Sequence, residues 1–313
     1  MMNGLLICVF VAGTVLGGQP EKAVPPAATS PAPAQSPAAP AAPTPVTGDD
    51  GKPVMKVEVQ TQAIDPKVDD LLTRLETADK ELKSLIASIK FFKVFPQGPL
   101  GGGMHERDGT LKFGRRVDGS GVKRRMFAVQ FDSLLEDGTR LTKKVKQYVF
   151  DGEVLIEREP GEKQFQRQRL VAPGADVDPM RLGQSRVQFP MPLGQRKADM
   201  LAVFTVTTPP SLENVPKAPS MQQMLSDAIQ IKLVPIKGNV QARDFVEIRI
   251  WYRPSDLLPL FAQAVNTDGS KAEVLLEDVK TNVDIPASAF DTKAPDPKEG
   301  WQGRNDDAVG GKR

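Results

Sequence analysis

Histidine and cysteine, the side chains that most often act as nucleophile, general base or metal ligand near neutral pH, each occur once in this 313-residue chain. The single histidine, His105, follows a glycine-rich stretch, and no Gly-x-Ser-x-Gly sequence accompanies it. The single cysteine, Cys8, lies inside an apolar run near the N-terminus. A histidine and a cysteine so placed cannot form a His-pair zinc site or a Cys–His dyad. We therefore interpret His105 as an exposed loop residue and expect no catalytic residue, no cofactor and no bound metal.

Charged clusters offer two weaker candidates for binding. Asp176 and Asp178 could give two carboxylates to a cation, but no third ligand lies nearby, so this segment is interpreted as a turn. A basic cluster on both sides of Gly119 to Gly121 comprises Arg115, Arg116, Lys123, Arg124 and Arg125. It predicts either a solvated hairpin tip or a contact with anionic lipid headgroups.

The overall charge argues against nucleic acid as a partner. Lys and Arg number 41 and Asp and Glu 39, so the formal net charge is +2 and supplies no field that would attract a polyanion. Hydrophobic residues make up 40% of the chain, which is enough to bury a core in one large domain or two small ones.

The N-terminal residues have the features of an export signal. Leu5 to Leu16 is uncharged and apolar, and it is shorter than the roughly 20 residues that span a bilayer as a helix. We predict a signal peptide over residues 1–18 and a disordered Pro/Ala-rich linker over 19–55. Cleavage would give a cysteine-free periplasmic protein, whereas a retained N-terminal segment would tether it to the membrane.

One long helix is predicted where the folded part begins. Asp65 suits its N-cap and Pro66 its first turn. Apolar residues then recur at steps of three and four, which predicts a helix that buries one face on a sheet. These residues are Val68, Leu71, Leu72, Leu75, Ala78, Leu82, Leu85, Ile86 and Ile89.

After this helix the apolar residues alternate, which predicts strands. Phe127, Val129 and Phe131 share one face of such a strand. Short turns are predicted at Asp137-Gly138, Asp151-Gly152 and Pro160-Gly161. Because short turns join neighbouring antiparallel strands, the pattern favours an antiparallel sheet over a Rossmann-like fold.

Two short helices are predicted in the Pro-rich region between the two sets of strands. One covers Arg196 to Phe204 and presents Met200, Leu201 and Phe204, and the other covers Met221 to Ile229. Flexible methionines suit a binding surface that accepts chains of different shape, although methionines at helical spacing also serve as core.

Two segments together resemble the LolA/LolB-like periplasmic lipoprotein carriers. The first begins with a strand that contains Val246, Ile248, Ile250 and Tyr252, and it continues through Pro254 into a second strand. A turn at Asn266 to Gly269 follows, and then a third strand that ends at Asp278 to Asn282. Ile285 and Phe290 close this segment. In the second, from Tyr148 to Leu170, three strands are joined by an Asp-Gly turn and a Glu-Pro turn. Leu155 and Ile156 replace the usual aromatic pair of the family there.

The resemblance implies a fold and a function. The expected fold is α+β, with a strongly curved antiparallel β-sheet, a half-open barrel, wrapped on the long N-terminal helix and bearing short central lid helices. One lipid-binding domain is expected over residues 56–291, with a disordered tail over 292–313. The implied function is non-enzymatic binding of the acyl chains of lipoproteins or lipids in an apolar cavity, for delivery towards the outer membrane.

The resemblance also implies partners and a site. An inner-membrane release complex and an outer-membrane acceptor are the expected protein partners. The residues expected to line the cavity are Phe127, Val129, Phe131, Met200, Leu201, Phe204, Ile248 and Ile250.

Three other functions stay open at this point. An envelope sensor would bind lipid or misfolded protein on the same sheet and relay the signal to a membrane partner. A structural envelope module would have a filled core and no transport role. An enzyme would need a site made of carboxylates alone, with two acidic side chains of raised pKa in one pocket.

Overall fold

The computed structural model of the protein describes residues 64–96, 102–117, 119, 121–141, 144–172, 175, 193 and 195–306. The predicted signal peptide, the linker over 19–55 and the Asp176 to Asp178 segment lie outside these residues.

The helices are α1 (Pro66–Glu81), α2 (Lys197–Val203) and α3 (Pro219–Leu225). The strands are β1 (Ser84–Phe95), β2 (Gly103–Val117), β3 (Lys123–Phe131), β4 (Leu134–Glu136), β5 (Thr139–Leu141), β6 (Lys146–Phe150), β7 (Val154–Glu159), β8 (Gln164–Arg169), β9 (Phe204–Thr207), β10 (Ile229–Pro235), β11 (Phe245–Tyr252), β12 (Pro259–Asn266), β13 (Lys271–Thr281) and β14 (Gln302–Asp306).

The described strands form one open sheet in the order β14-β8-β7-β6-β3-β2-β1-β13-β12-β11-β10-β9. β4 pairs with β2 and with β5 beside this path. The pairing of β14 with β8 is parallel, and every other pairing of these strands is antiparallel. The predicted fold class, an α+β protein with a curved, half-open antiparallel sheet, is therefore confirmed.

The long helix is shorter than predicted. It begins as expected, with the Asp65 carboxylate accepting a hydrogen bond of 2.8 Å from the Lys67 N–H and Pro66 in its first turn. It ends at Glu81, and Leu82 already has an extended backbone. The prediction that the helix continues through Leu85 and Ile89 is wrong, because from Ser84 onward the buried residues alternate along β1. The spacing of Leu85 and Ile89 fits both the helical period of 3.6 residues and the strand period of two. The β-branched isoleucines in this segment favour the strand.

A close backbone approach at Gly109 marks the place where β2 changes partner. The N-terminal part of β2 pairs with β4, and from Gly109 onward it pairs with β3. A Cβ atom at Gly109 would lie 1.9 Å from the carbonyl oxygen of Gln130. Only glycine allows the two strands to approach so closely at this position.

The two faces of the sheet bury separate cores. We call the face on which α1 packs the inner face, and the opposite one the outer face. On the inner face lie a cluster around Phe113 and Phe127 and a second cluster around Ile250 and Leu72. On the outer face, α3 covers a cluster around Trp251, and the 3₁₀ turn Ala287–Phe290 covers one around Met126.

The C-terminal segment differs from the disordered tail predicted over residues 292–313. Through Asp306 the chain has defined structure, and β14 pairs with β8 from Gln302 to Asp306. Two arginine side chains fasten this segment: Arg158 donates to the carbonyls of Asp291 and Lys293, and Arg167 donates to the carbonyl of Thr292. Composition alone missed this strand because its stability depends on β8 and on one arginine each from β7 and β8, which lie more than a hundred residues earlier in the chain.

Candidate functional site

The inner face divides into two halves of different composition. One half, here the aromatic half, is formed by β1, β2, β3, β6, β7 and β13 and is rich in buried rings. These rings are Phe91, Phe113, Phe127, Phe131, Tyr148 and Phe150. Neighbouring rings contact each other, with centroids 5.6 Å apart for Phe127 and Phe150 and 6.0 Å apart for Phe91 and Phe131. The other half, here the helix-covered half, is formed by β9 to β12 and is mostly aliphatic.

The two halves also differ in what packs on them. Four residues of α1 and two of α2 lie on the helix-covered half: Val68, Leu71, Leu72, Leu75, Met200 and Val203. On the aromatic half, the buried described residues that come from outside the sheet are Leu82, Leu193 and Leu258. In the described part of the chain, the aromatic half therefore has three leucine side chains where the other half has two helices.

A groove of about 490 Å³ opens where α1 ends. One wall is α1, with Thr77, Ala78 and Leu82, and the other is the loop from Pro254 to Leu258 together with Thr281 and Asn282. Its lining combines the apolar side chains of Ala78, Leu82, Leu257 and Leu258 with hydroxyl, amide and charged groups. Its volume is in the range of sites that bind small molecules.

Local hydrogen bonds hold the loop wall in place. The N–H of Arg253 donates to the carbonyl of Leu258, and the N–H of Leu257 donates to the carbonyl of Arg253, both at 2.8 Å. Arg253 also forms an ion pair of 2.7 Å with Asp256. On the other side, the Asn282 side chain accepts a hydrogen bond of 2.8 Å from the N–H of Lys83, which ties the end of β13 to the start of β1.

A smaller cavity of about 30 Å³ adjoins the groove. The two share Ala78, Leu82, Asp256, Leu257 and Leu258 as lining residues. The cavity is also lined by Leu193, from the aromatic cluster, and by Met200, from the helix-covered cluster. The groove therefore adjoins the boundary between the two apolar halves.

Polar groups also reach this cavity. Asp79, near the end of α1, lines it together with Tyr252 and Gln195. The Arg115 guanidinium, on β2, donates to the Asp79 carboxylate at 2.6 Å and to the Asp79 carbonyl at 2.8 Å. Burial, and secondarily the Asp79 carboxylate, raises the pKa of Tyr252, so its hydroxyl stays protonated.

Only part of the basic cluster is the solvated hairpin tip that the sequence predicted: Arg116 and Lys123 are exposed, whereas two of its arginines are not. Arg124 and Arg125 are buried, and each donates a hydrogen bond of 2.6 Å to a carbonyl, Arg124 to Ala175 and Arg125 to Leu193. Arg125 lies on the inner face and brings Leu193 onto the aromatic half. These arginines therefore bind the backbone at Ala175 and Leu193, and sequence reasoning missed this role because the carbonyls that they bind carry no sequence signal.

The eight residues predicted to line a cavity lie together on the inner face or on α2. Seven of them are buried: Phe127, Val129, Phe131, Met200, Phe204, Ile248 and Ile250. Leu201 is partly buried against the helix-covered cluster. Met200 lines the small cavity described above. Their role in ligand binding remains a prediction, and the residues of the groove at the end of α1 were not foreseen.

His105 is not a loop residue as predicted. It lies in β2, its Nε2 is 2.9 Å from a carboxylate oxygen of Glu136, and its ring meets Phe95 edge to face. Within the described residues, no group of three or more His, Cys, Asp and Glu side chains is arranged to hold a metal ion.

A larger groove, of about 670 Å³, lies on the outer face beneath the C-terminal segment. Its sheet side carries Thr110, Lys112, Gln130 and Gln147, and Trp301 lies on its other wall. Ala128, Val129 and Val149 also line it. Because the smaller groove at α1 shares lining residues with the cavity that Leu193 and Met200 also line, we regard that groove as the better site for an apolar ligand.

Comparisons with known proteins give structural matches only. No protein-family model matches the sequence, and no curated protein matches it significantly. No helix in the described part of the chain has the length and hydropathy needed to cross a membrane.

Three of the matching solved structures illustrate the range of sequence identity, TM-score and coverage. An uncharacterized conserved protein from Thermus thermophilus is 11% identical, with a TM-score of 0.40 over 76% of this chain and 99% of that one. A putative outer membrane lipoprotein-sorting protein domain from Vibrio parahaemolyticus is 9% identical, with a TM-score of 0.31 over 71% and 94%. A LolA superfamily protein from Nitrosomonas europaea is 13% identical, with a TM-score of 0.29 over 70% and 96%. The resemblance to LolA-like proteins thus recurs in the structural comparison, and at these scores it carries no information on activity.

Proposed function

We propose that this domain binds the acyl chain of a lipoprotein or lipid on its inner face. The observation that carries the proposal is that the groove at the end of α1 adjoins a small cavity, with which it shares five lining residues, at the boundary of the two apolar halves. An acyl chain placed there would leave water, with a gain of about 0.8 kcal/mol per methylene buried. The rings of the aromatic half are at most 9% exposed, so such a chain would extend over them by displacing the side chains that now cover them.

The biological role that we propose is that of a periplasmic carrier or chaperone which delivers acylated cargo towards the outer membrane. The predicted signal peptide supports export, and a retained N-terminal segment would tether the domain instead. An inner-membrane release complex and an outer-membrane acceptor would be the partners of such a carrier. The groove rim, with Arg74, Glu81 and Asp256, bears charges of both signs and would remain at the surface beside the cargo headgroup.

A structural module with a filled core is the second candidate. It is favoured by the burial of seven of the eight predicted cavity residues, among which Ile248 and Ile250 are 0% exposed. In that case the groove would be a surface feature without a ligand.

The test is to fill the groove without removing any packing. The full chain would be expressed with its own signal region, and lipid bound to the purified protein would be measured by native mass spectrometry. Ala78 lines both the groove and the cavity, so Ala78→Phe should place a ring across the path and lower the bound lipid at least fivefold.

The matched control is Lys80→Phe, which adds the same ring to α1 at a residue that does not line the groove. This variant should keep the wild-type amount of lipid. If the wild type carries no lipid, or if Ala78→Phe carries as much as Lys80→Phe does, the acyl-binding proposal is wrong and the structural module is favoured.

A further inference from the structure

The larger groove on the outer face, here the outer groove, has a row of polar side chains on its floor. Thr110, Gln130, Gln147 and Arg158 are cross-strand neighbours on β2, β3, β6 and β7, and all four line the groove. Neighbouring strands lie about 4.8 Å apart, so these side chains are evenly spaced. Gln147 donates a hydrogen bond of 3.1 Å to Gln130, and Gln130 donates one of 2.7 Å to Asp132, which orients both amides.

A second row lies beside the first, two residues further along the same strands. Lys112, Ala128 and Val149 are cross-strand neighbours on β2, β3 and β6, and they also line the groove. Lys112 has no ion-pair partner in the described part of the chain. The floor therefore combines a polar row, a short apolar strip and an ammonium group that is available to a ligand.

The opposite wall holds Trp301, whose surroundings differ from those of the second tryptophan of the chain. Trp251 is 0% exposed, packs against Phe261 with ring centroids 5.1 Å apart and donates from Nε1 to the carbonyl of Ser211 at 2.6 Å. Trp301 is partly exposed and belongs to none of the apolar clusters of the described residues. Its indole N–H has no hydrogen-bond partner there either. Trp301 therefore offers ring surface and a donor to the groove.

The backbone is fixed on both sides of Trp301. The Lys163 ammonium donates to the carbonyl of Glu299 at 2.7 Å, and the N–H of Gln302 donates to the carbonyl of Lys163 at 2.9 Å. Because the backbone that carries the ring is already ordered, a ligand that stacks on Trp301 would bind with a smaller loss of conformational entropy.

The lining disfavours several classes of ligand. It carries Lys112, Arg158 and Lys293 but also Asp291 and Glu299, so it attracts neither a polyanion nor a polycation. An acyl chain would cover the polar row without replacing the hydrogen bonds that water gives it. A peptide that binds by adding a strand needs a free sheet edge, and β3 and β6 have neighbours on both sides.

We propose that the outer groove binds a short neutral saccharide, a second binding function on the face opposite the acyl site. Sugar hydroxyls donate and accept hydrogen bonds, as the amides of Gln130 and Gln147 do, and Lys112 and the Trp301 N–H add donors. The apolar C–H face of a sugar ring would pack on the indole. The volume of about 670 Å³ is in the range of small-molecule sites.

The experiment is a calorimetric titration of the full-length protein with two neutral trisaccharides, maltotriose and triacetylchitotriose. At least one of them should bind with a Kd of about 1 mM or lower. Acrylamide quenching of the intrinsic fluorescence gives a second measurement. Because Trp251 is fully buried, this quenching reports on Trp301, and the bound trisaccharide should lower it.

Matched variants locate the site. Gln147→Ala removes one amide of the polar row and should weaken binding about fivefold or more. Its control, Gln166→Ala, changes an exposed glutamine of β8 that does not line the groove, and it should keep the wild-type affinity. Trp301→Ala should weaken binding about tenfold or more, whereas Trp301→Phe keeps a ring and should lose about threefold or less.

The outcomes separate this proposal from the acyl-binding function. If neither trisaccharide binds at about 10 mM, the saccharide proposal is wrong and acyl binding is unaffected. Equal affinities of Gln147→Ala and Gln166→Ala would also overturn it, because the saccharide would then bind elsewhere. Ala78→Phe, which tests the acyl site, should keep the wild-type saccharide affinity. If Trp301→Ala does not fold, the two glutamine variants still decide the question.

Discussion

The helix-covered half and the aromatic half of the inner face are built from the same strand pattern but are completed differently. In the first, α1 adds four buried aliphatic residues directly onto β9 to β12. In the second, six rings belong to one cluster, and the buried described residues from outside the sheet are three leucines. Alternation along a strand therefore identifies which face is apolar but not what covers it.

If the domain binds an acyl chain as proposed, the difference would give each half a separate task. A surface completed by a helix from the same chain is fixed when the domain folds, because the helix and sheet bury each other. A surface of rings beside a groove can accept an added chain with less change in its own packing. The helix-covered half would thus provide stability, and the aromatic half would provide binding.

Paired arginine substitutions give the largest expected effects and test this division directly. Ile248→Arg places a guanidinium among the aliphatic side chains beneath α1, so the domain should lose its cooperative unfolding transition. Val129→Arg, at an equally buried position in the aromatic half, should keep a folded circular dichroism spectrum but lose bound lipid. Urea unfolding and native mass spectrometry measure the two quantities.

The control for both is Val246→Arg, a half-exposed position on the same strand as Ile248. It should leave both folding and bound lipid unchanged. Should Val129→Arg unfold the domain as Ile248→Arg does, the two halves are equivalent core and the division between them is wrong.

Much of the fold could be predicted from local sequence. The turn at Asp137-Gly138 joins β4 to β5 with positive φ at both residues, and the turn ending at Gly269 joins β12 to β13. Such turns need particular residue types, so they leave a readable signal. The end of α1 could not be predicted as well, because Leu85 and Ile89 fit both a helical and a strand period.

The candidate site was much less predictable than the fold. Its groove is formed by α1 and the loop from Pro254 to Leu258, which are far apart in sequence. The Asp79–Arg115 pair joins a helix to the end of a strand, and nothing in either local sequence marks the partner. Arg125 was interpreted as a surface charge because its partner is a backbone carbonyl. Contacts of these kinds become visible only in the folded chain.

Backbone packing in the aromatic half provides the next largest effect. At Gly109, opposite Phe131, an added Cβ atom would meet the backbone of Gln130 and cannot be accommodated by a side-chain movement. Gly109→Ala should therefore lower the free energy of unfolding by about 2–4 kcal/mol, measured by urea denaturation. Gly119→Ala, where nothing lies within 4 Å of the added atom, should change it by less than about 0.5 kcal/mol. Equal effects would mean that the aromatic half does not depend on this close approach.

The two halves should also differ in the pH at which they lose stability. On the outer side of the helix-covered half, burial opposes ionisation of Glu247, but hydrogen bonds from Arg249 and Lys232 outweigh it and lower the pKa of Glu247. A lowered pKa in the folded state contributes stability above the unfolded value near 4.5, and this contribution is lost as the pH falls through the folded value.

In the aromatic half the sign is reversed. Burial, reinforced by Glu157 and opposed by Lys146, raises the pKa of Tyr148 from 10.0 to about 12. The neutral phenol is thus favoured in the folded state, so the domain keeps this contribution below pH 10 and loses it as the pH rises towards 12. At pH 11 the loss is about 1 kcal/mol, because the unfolded tyrosine is mostly ionised and the folded one is not.

Tyr148→Phe removes this titration and Glu247→Gln removes the other, so the pair can be measured as matched variants. The free energy of unfolding of Tyr148→Phe should decline less than that of the wild type between pH 9 and 11, with an unchanged acid limb. Glu247→Gln should show the opposite, a flatter acid limb below pH 5 and an unchanged alkaline limb. If both variants altered the same limb, the electrostatic difference between the halves would not exist. If Glu247→Gln alters only the acid limb and Tyr148→Phe only the alkaline limb, lipid binding can be studied at pH 7 to 8. Neither group titrates in that range, so a difference between the halves there comes from packing.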